Sequence, residues 1–182
     1  MGLRGRRRDR QEDRQEFGRG GDAMRYQMRQ KMVSIGDDFW IESDRGERVF
    51  KVNGKALRVR STLVFEDLRG NEVARIQDRP VRVRESMDIE GPDGSTMATV
   101  KKAMITPLRE RFSISTATGA ELEAQGNLVD HEYEISDGQG KIAEVSKKWF
   151  RVRDSYGVEI KTGQDAILIL TATVAIDMMG HD

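Results

Sequence analysis

From Met24 onward, apolar and polar residues alternate in short runs separated by glycine-containing turns. The first unit is Phe39-Trp40-Ile41-Glu42, a turn around Gly46, then Val49-Phe50-Lys51-Val52. The same unit recurs at Leu63–Ile76, Met87–Val100, Phe112–Leu122 and Tyr133–Val145. Its turn glycines, at 46, 70, 94, 119 and 140, are 24, 24, 25 and 21 residues apart. Alternation with a period of two is the mark of a half-buried strand. Glycine is expected in the turns because tight hairpins need a positive φ. Five hairpins, with flanking runs at Tyr26–Val33 and Tyr156–Ile160, predict roughly 10–12 short strands. Each strand has one apolar face, so the sheet must wrap a common core. A closed antiparallel barrel does this and leaves no exposed edge.

One stretch breaks the alternation. Ala166–Met179 is apolar almost throughout, in a chain that is 34% charged. At about 14 residues it falls short of the roughly 20 needed to span a bilayer, so it reads as a buried element. It is long for a strand. It follows Thr162-Gly163-Gln164-Asp165, where Thr162 or Asp165 can serve as an N-cap. It is apolar all round, as a helix enclosed by protein should be. A barrel of about 12 strands is too wide for its own side chains to fill. The expected fold is therefore mainly β, of α+β type: a closed antiparallel β-barrel around a central hydrophobic C-terminal helix.

Several stretches resemble the LURP-one-related family, of the tubby C-terminal-like superfamily that also includes the phospholipid scramblases. They are Met24–Phe39, Trp149-Phe150, Asp154–Ile160 and the closing apolar run. The resemblance covers Met24 to about Met179 and implies a 12-stranded barrel around a central C-terminal helix. Tubby-type members are associated with phosphoinositide headgroups; the residues of that site have no match here and are not carried over.

Composition narrows the function classes. Residues 1–23 hold seven arginines against five acids, leaving +2, with Phe17 the only large aromatic. Such a segment cannot bury enough apolar surface to offset its ordering entropy, so it is expected to be a disordered charged tail. Residues 24–182 are expected to form the barrel domain, with Met24 resembling a natural first residue. The chain carries 31 basic and 31 acidic residues, which gives no support to nucleic-acid binding. It has no cysteine, which excludes disulfides, thiolate metal sites and cysteine nucleophiles. No signal peptide or transmembrane span is expected, and the default is a cytoplasmic protein, peripheral to membranes at most.

Candidate chemistry is sparse. Gly138-Gln139-Gly140-Lys141-Ile142-Ala143 imitates a dinucleotide fingerprint, but the following residues alternate as a strand where that motif needs a helix. His131 lies among Asp130, Glu132 and Glu134, yet alternation turns it to the other face with Tyr133 and Ile135, so it is expected to be a stray or core-facing histidine and not a metal ligand. Asp37-Asp38 is expected to cap local amides. Asp177, near the end of the apolar run, is expected to reach solvent or pair with an arginine. No metal, cofactor or catalytic set is expected, and the protein is read as a non-enzyme.

Arg-Val-Arg occurs three times, as Arg58/Arg60, Arg82/Arg84 and Arg151/Arg153, with Lys147-Lys148 beside the last. On strands, each arginine pair would share the outer face with valine inward. On neighbouring strands they would form a basic exterior stripe, and arginine forks suit phosphate oxygens. The expected function is a binding module docking anionic phospholipid headgroups or phosphorylated ligands on these eight residues. The alternative is a protein-interaction or scaffold domain with no small ligand, its arginines a solvated face.

Overall fold

Each of the five hairpin units folds as a pair of antiparallel strands. The computed structural model describes residues 23–29, 38–53, 62–78, 86–103, 110–149 and 155–180. The strands are β1 (Ala23–Arg29), β2 (Phe39–Ser43), β3 (Arg48–Asn53), β4 (Thr62–Glu66), β5 (Glu72–Asp78) and β6 (Ser86–Glu90). They continue as β7 (Thr96–Lys102), β8 (Glu110–Thr116), β9 (Glu121–Asn127), β10 (Glu132–Ser136), β11 (Lys141–Ser146) and β12 (Ser155–Lys161). A 3-10 turn spans Lys147–Trp149, and the helix α1 spans Ala166–Gly180. Residues 1–22 of the charged tail lie outside the described residues.

Each strand pairs with its chain neighbours, and β1 pairs with β12 to close the barrel. Tyr26 lies opposite Val158 and Met28 opposite Tyr156 across that seam. Inward-facing positions such as Ile41, Phe65, Ile76, Ile89, Phe112 and Ile135 are essentially inaccessible. Each such side chain contributes about 1.5–3 kcal/mol by leaving water.

The helix threads the barrel, as the interior-volume argument requires. Every residue from Ile169 to Met179 is buried. Contacts run to β5, β6, β7 and β12. Two threonines fit this apolar setting because their hydroxyls turn back on the helix. Thr171 Oγ1 donates to Ile167 O at 2.7 Å and Thr173 Oγ1 to Ile169 O at 2.9 Å. Asp165 is the N-cap, accepting from Leu168 N at 3.1 Å. At the other end Lys102 Nζ donates to Met179 O at 3.3 Å, meeting one of the carbonyls a helix leaves open. No helix among the described residues is long and apolar enough to cross a membrane.

Strict up-and-down order sorts the connections into two sets. The tight turns after β2, β4, β6, β8 and β10, and the turn into α1, all lie at one end. Four of them place Gly46, Gly70, Gly94 and Gly119 at φ of +77°, +82°, +80° and +85°. In the fifth turn the left-handed residue is Gly138 at +84°, not Gly140 as the spacing suggested. There the Asp137 carboxylate accepts from both Gln139 N and Gly140 N, which draws the turn around Gly138. The strand β11 follows, so the dinucleotide-like glycines form a hairpin turn. β1, β3, β5, β7, β9 and β11 all end at the opposite end, where α1 finishes.

Candidate functional site

Of the eight expected anion-docking residues, Lys147 and Lys148 are described. Both stand on the 3-10 turn after β11, with Lys148 at 75% side-chain exposure, 3.3 Å from Glu132 Oε2. Arg58, Arg60, Arg82, Arg84, Arg151 and Arg153 lie outside the described residues. The strand ends that bracket them are Asn53 and Thr62, Asp78 and Ser86, and Ser146 and Ser155. All six ends belong to the α1-exit end of the barrel. Lys101 and Arg111 stand at the same end, on β7 and β8, and Arg111 reaches Glu123 at 3.7 Å.

The buried chemistry lies just inside that end. His131 and Asp177 are both fully enclosed, and His131 Nε2 stands 3.0 Å from Asp177 Oδ1. Tyr156 OH donates to Asp177 Oδ2 at 2.6 Å. The His131 and Tyr156 rings stack with centroids 4.2 Å apart. His131 therefore faces the core, from the turn between β9 and β10 and not from the strand that alternation had assumed. Asp177 does not reach solvent, and among the described residues its side-chain partners include His131 and Tyr156, because α1 ends inside the wall. Burial, then the Asp177 charge, push the Tyr133 and Tyr156 phenols well above their ordinary range. Asp38 pairs with Lys51 at 2.8 Å beside the β2–β3 ladder, and Asp37, the other half of the expected amide-capping pair, lies outside the described residues. Among the described residues, no three His, Cys, Asp or Glu side chains assemble as a metal ligand set.

A second polar group, without a sequence signal, sits on the outer wall at the closing seam. Glu159 is buried at 1%, pairs with Arg25 on β1, and leaves Oε1 without a hydrogen-bond partner. The Arg25 guanidinium lies 5.2 Å over the Trp149 ring. Trp149 comes from the 3-10 turn that packs beside β12. The arrangement fastens the first strand to the last.

A sequential twelve-stranded barrel filled by its own C-terminal helix, with its buried polar groups turned on that helix, defines a barrel domain of the LURP-one type. The chain belongs to the LURP-one-related family, whose sequence pattern matches residues 24–177. It is 29% identical over 152 residues to the uncharacterized protein YxjI of Bacillus subtilis (strain 168), spanning 84% of this chain and 91% of that relative. The solved structure of the Arabidopsis thaliana protein AT5G01750 shares the fold, with a TM-score of 0.63 at 17% identity, over 87% of this chain and 91% of that one.

Proposed function

We propose that the protein is a non-enzymatic binding module that docks phosphate-bearing anions at the α1-exit end of the barrel. One observation carries this reading: in the sequence, charge is sorted between the two sets of segments that connect the strand ends. The segments joining strands at that end (30–38, 54–61, 79–85, 103–109, 128–131 and 147–154) contain twelve Lys or Arg against five Asp or Glu. Those at the glycine-turn end (44–47, 67–71, 91–95, 117–120, 137–140 and 162–165) contain two against six. A chain of zero net charge thus carries opposite excess charge in its two sets of connecting segments, and a local field of one sign attracts anions whatever the total. The α1 macrodipole runs against this division, its negative end lying at the basic end, where cations stabilise the helix terminus. The described cations there are loosely engaged. Exposed pairs such as Lys148–Glu132 and Arg111–Glu123 are worth at most about 1 kcal/mol, so a phosphate can replace either carboxylate.

Phosphate is the shared chemistry of a lipid headgroup and a soluble phosphorylated ligand, and vesicle sedimentation separates them. The protein is expected to sediment at low salt with vesicles containing phosphoinositide, not with phosphatidylcholine alone. Soluble inositol phosphate should compete if the headgroup suffices. The variant Arg82→Glu/Arg84→Glu/Arg151→Glu should lose binding while melting as the parent does. Absence of binding to vesicles and inositol phosphate, or binding unchanged in that variant, rejects the reading and leaves a protein-interaction domain.

A further inference from the structure

We propose that Asp177, held by His131 and Tyr156, is a pin that sets the rotation of α1 within the barrel. The helix needs one. Its buried stretch is apolar on all sides, and the wall around it is apolar too. Hydrophobic burial is non-directional, so turning the helix by one residue exchanges one set of aliphatic contacts for another. Depth is set differently. Asp165 caps the first turn, four residues after β12 ends, and Lys102 holds the Met179 carbonyl at the far end. Both act on backbone groups, which recur all round a helix terminus and do not mark one rotation.

Asp177 is the only ionisable residue in α1. Its partners come from two separate wall elements, the β9–β10 turn and β12. In another rotation its carboxylate would leave the His131 and Tyr156 donors and stay buried, at a desolvation cost.

The β9–β10 turn is shaped to supply one partner. In four turns at the opposite end a left-handed glycine donates its N–H to the carbonyl three residues earlier, as Gly46 does to Ser43 and Gly70 to Asp67. His131 occupies the same position, donating to Leu128 O at 3.1 Å with φ of 52°. It is the only non-glycine residue with positive φ among those described. Glycine suits that position better, so the backbone accommodates strain in order to place an imidazole there. Asn127 braces the turn through Asp130, accepting from its N–H at 3.1 Å and donating to its carboxylate at 2.7 Å. Glycine at 131 would relieve the turn and a larger aliphatic residue at 177 would take up part of the vacated volume, so stability alone does not call for the polar group. What the polar group adds is discrimination between rotations.

The test is methyl NMR of the full chain with thermal melting. The variant Asp177→Leu/His131→Gly/Tyr156→Phe gives the turn its usual glycine, replaces the carboxylate with carbon and takes up part of the space the imidazole leaves. It is expected to fold and to melt within about 5 °C of the parent. Ile169, Leu170, Val174 and Ile176 should each show more than one methyl signal where the parent shows one. Asp177→Asn keeps the shape and hydrogen-bonding capacity and should retain single signals. A triple variant with single signals and parental contacts overturns the pin. A triple variant that fails to fold, or melts far lower with single signals, also overturns it, since the cluster would then act through stability alone. Multiple signals in Asp177→Asn overturn the hydrogen-bonded basis of the pin.

Discussion

Arg25 and Glu159 stand opposite each other in the β1–β12 ladder, and their side chains join across the seam that closes the barrel. They are 134 residues apart in the chain. Glu159 is buried and Arg25 is part-exposed at 40%, so the pair combines a costly carboxylate with a cation that water still reaches.

Removing the arginine should therefore harm more than its own exposure implies. Arg25→Ala leaves a buried carboxylate unpaired and is expected to cost about 1–3 kcal/mol. For a chain of this size each kcal/mol lowers the melting midpoint by about 2–4 °C. Arg25→Ala/Glu159→Gln should recover part of the loss, because the stranded charge is gone. Arg75→Ala, which breaks the more exposed Arg75–Glu72 pair, should cost no more than about 0.5 kcal/mol. Equal losses for Arg25→Ala and Arg75→Ala in paired urea titrations would show that burial of Glu159 is immaterial.

Two glycines with positive φ should respond differently to alanine. A Cβ at Gly70 meets nothing within 4 Å, so Gly70→Ala carries only the left-handed backbone penalty, about 1–2 kcal/mol. A Cβ at Gly126 would lie 2.6 Å from Glu132 O and 2.7 Å from Tyr133 Cα. Those are backbone atoms of the neighbouring strand and cannot rotate away. Gly126→Ala should add an overpacking cost of about 1–3 kcal/mol to the conformational one. It should also disturb the turn that carries His131, visible as loss of the His131–Tyr156 stacking in the aromatic NMR region. A Gly126→Ala variant as stable as Gly70→Ala contradicts this.

What the sequence disclosed was local, and what it hid was not. Alternation within a strand and glycine within a turn act over a few residues, so the hairpins, the barrel and the enclosed helix could be read directly. Gly138 was missed for Gly140 because both sit in one turn and only the Asp137 side-chain bonds distinguish them. The β9–β10 turn escaped notice because histidine fills the glycine position. Its trace is the break in glycine rhythm before residue 131, together with the Asn127 and Asp130 pair. Asp177 looked like a helix-end residue free to find water. Its partners stand at 131 and 156, on elements that only barrel closure brings alongside. Arg25 and Glu159 meet through the same closure, and neither has a neighbour in sequence that signals it.

The enclosed phenols should make stability fall at high pH. Burial raises the pH at which all three tyrosines ionise, Tyr133 and Tyr156 well above the ordinary range, and the Asp177 charge adds to the latter two. An unfolded tyrosine ionises near pH 10. Below that pH both states hold the phenol proton and stability does not depend on it. Above it the unfolded chain loses protons that the folded chain keeps, so stability declines as pH rises toward the raised folded values. Each fully buried phenol can contribute up to about 1.4 kcal/mol per pH unit in that window. Urea midpoints from pH 8 to 11.5 should fall steeply beyond pH 10 in the parent. Tyr133→Phe/Tyr156→Phe should be less stable at pH 8, by about 1–3 kcal/mol for the lost donor to Asp177. Its decline above pH 10 should nevertheless be shallower, since what remains comes from Tyr26 and the lysines. Parallel declines in parent and variant would mean that neither phenol is held protonated by the fold, and that Asp177 is reached by solvent.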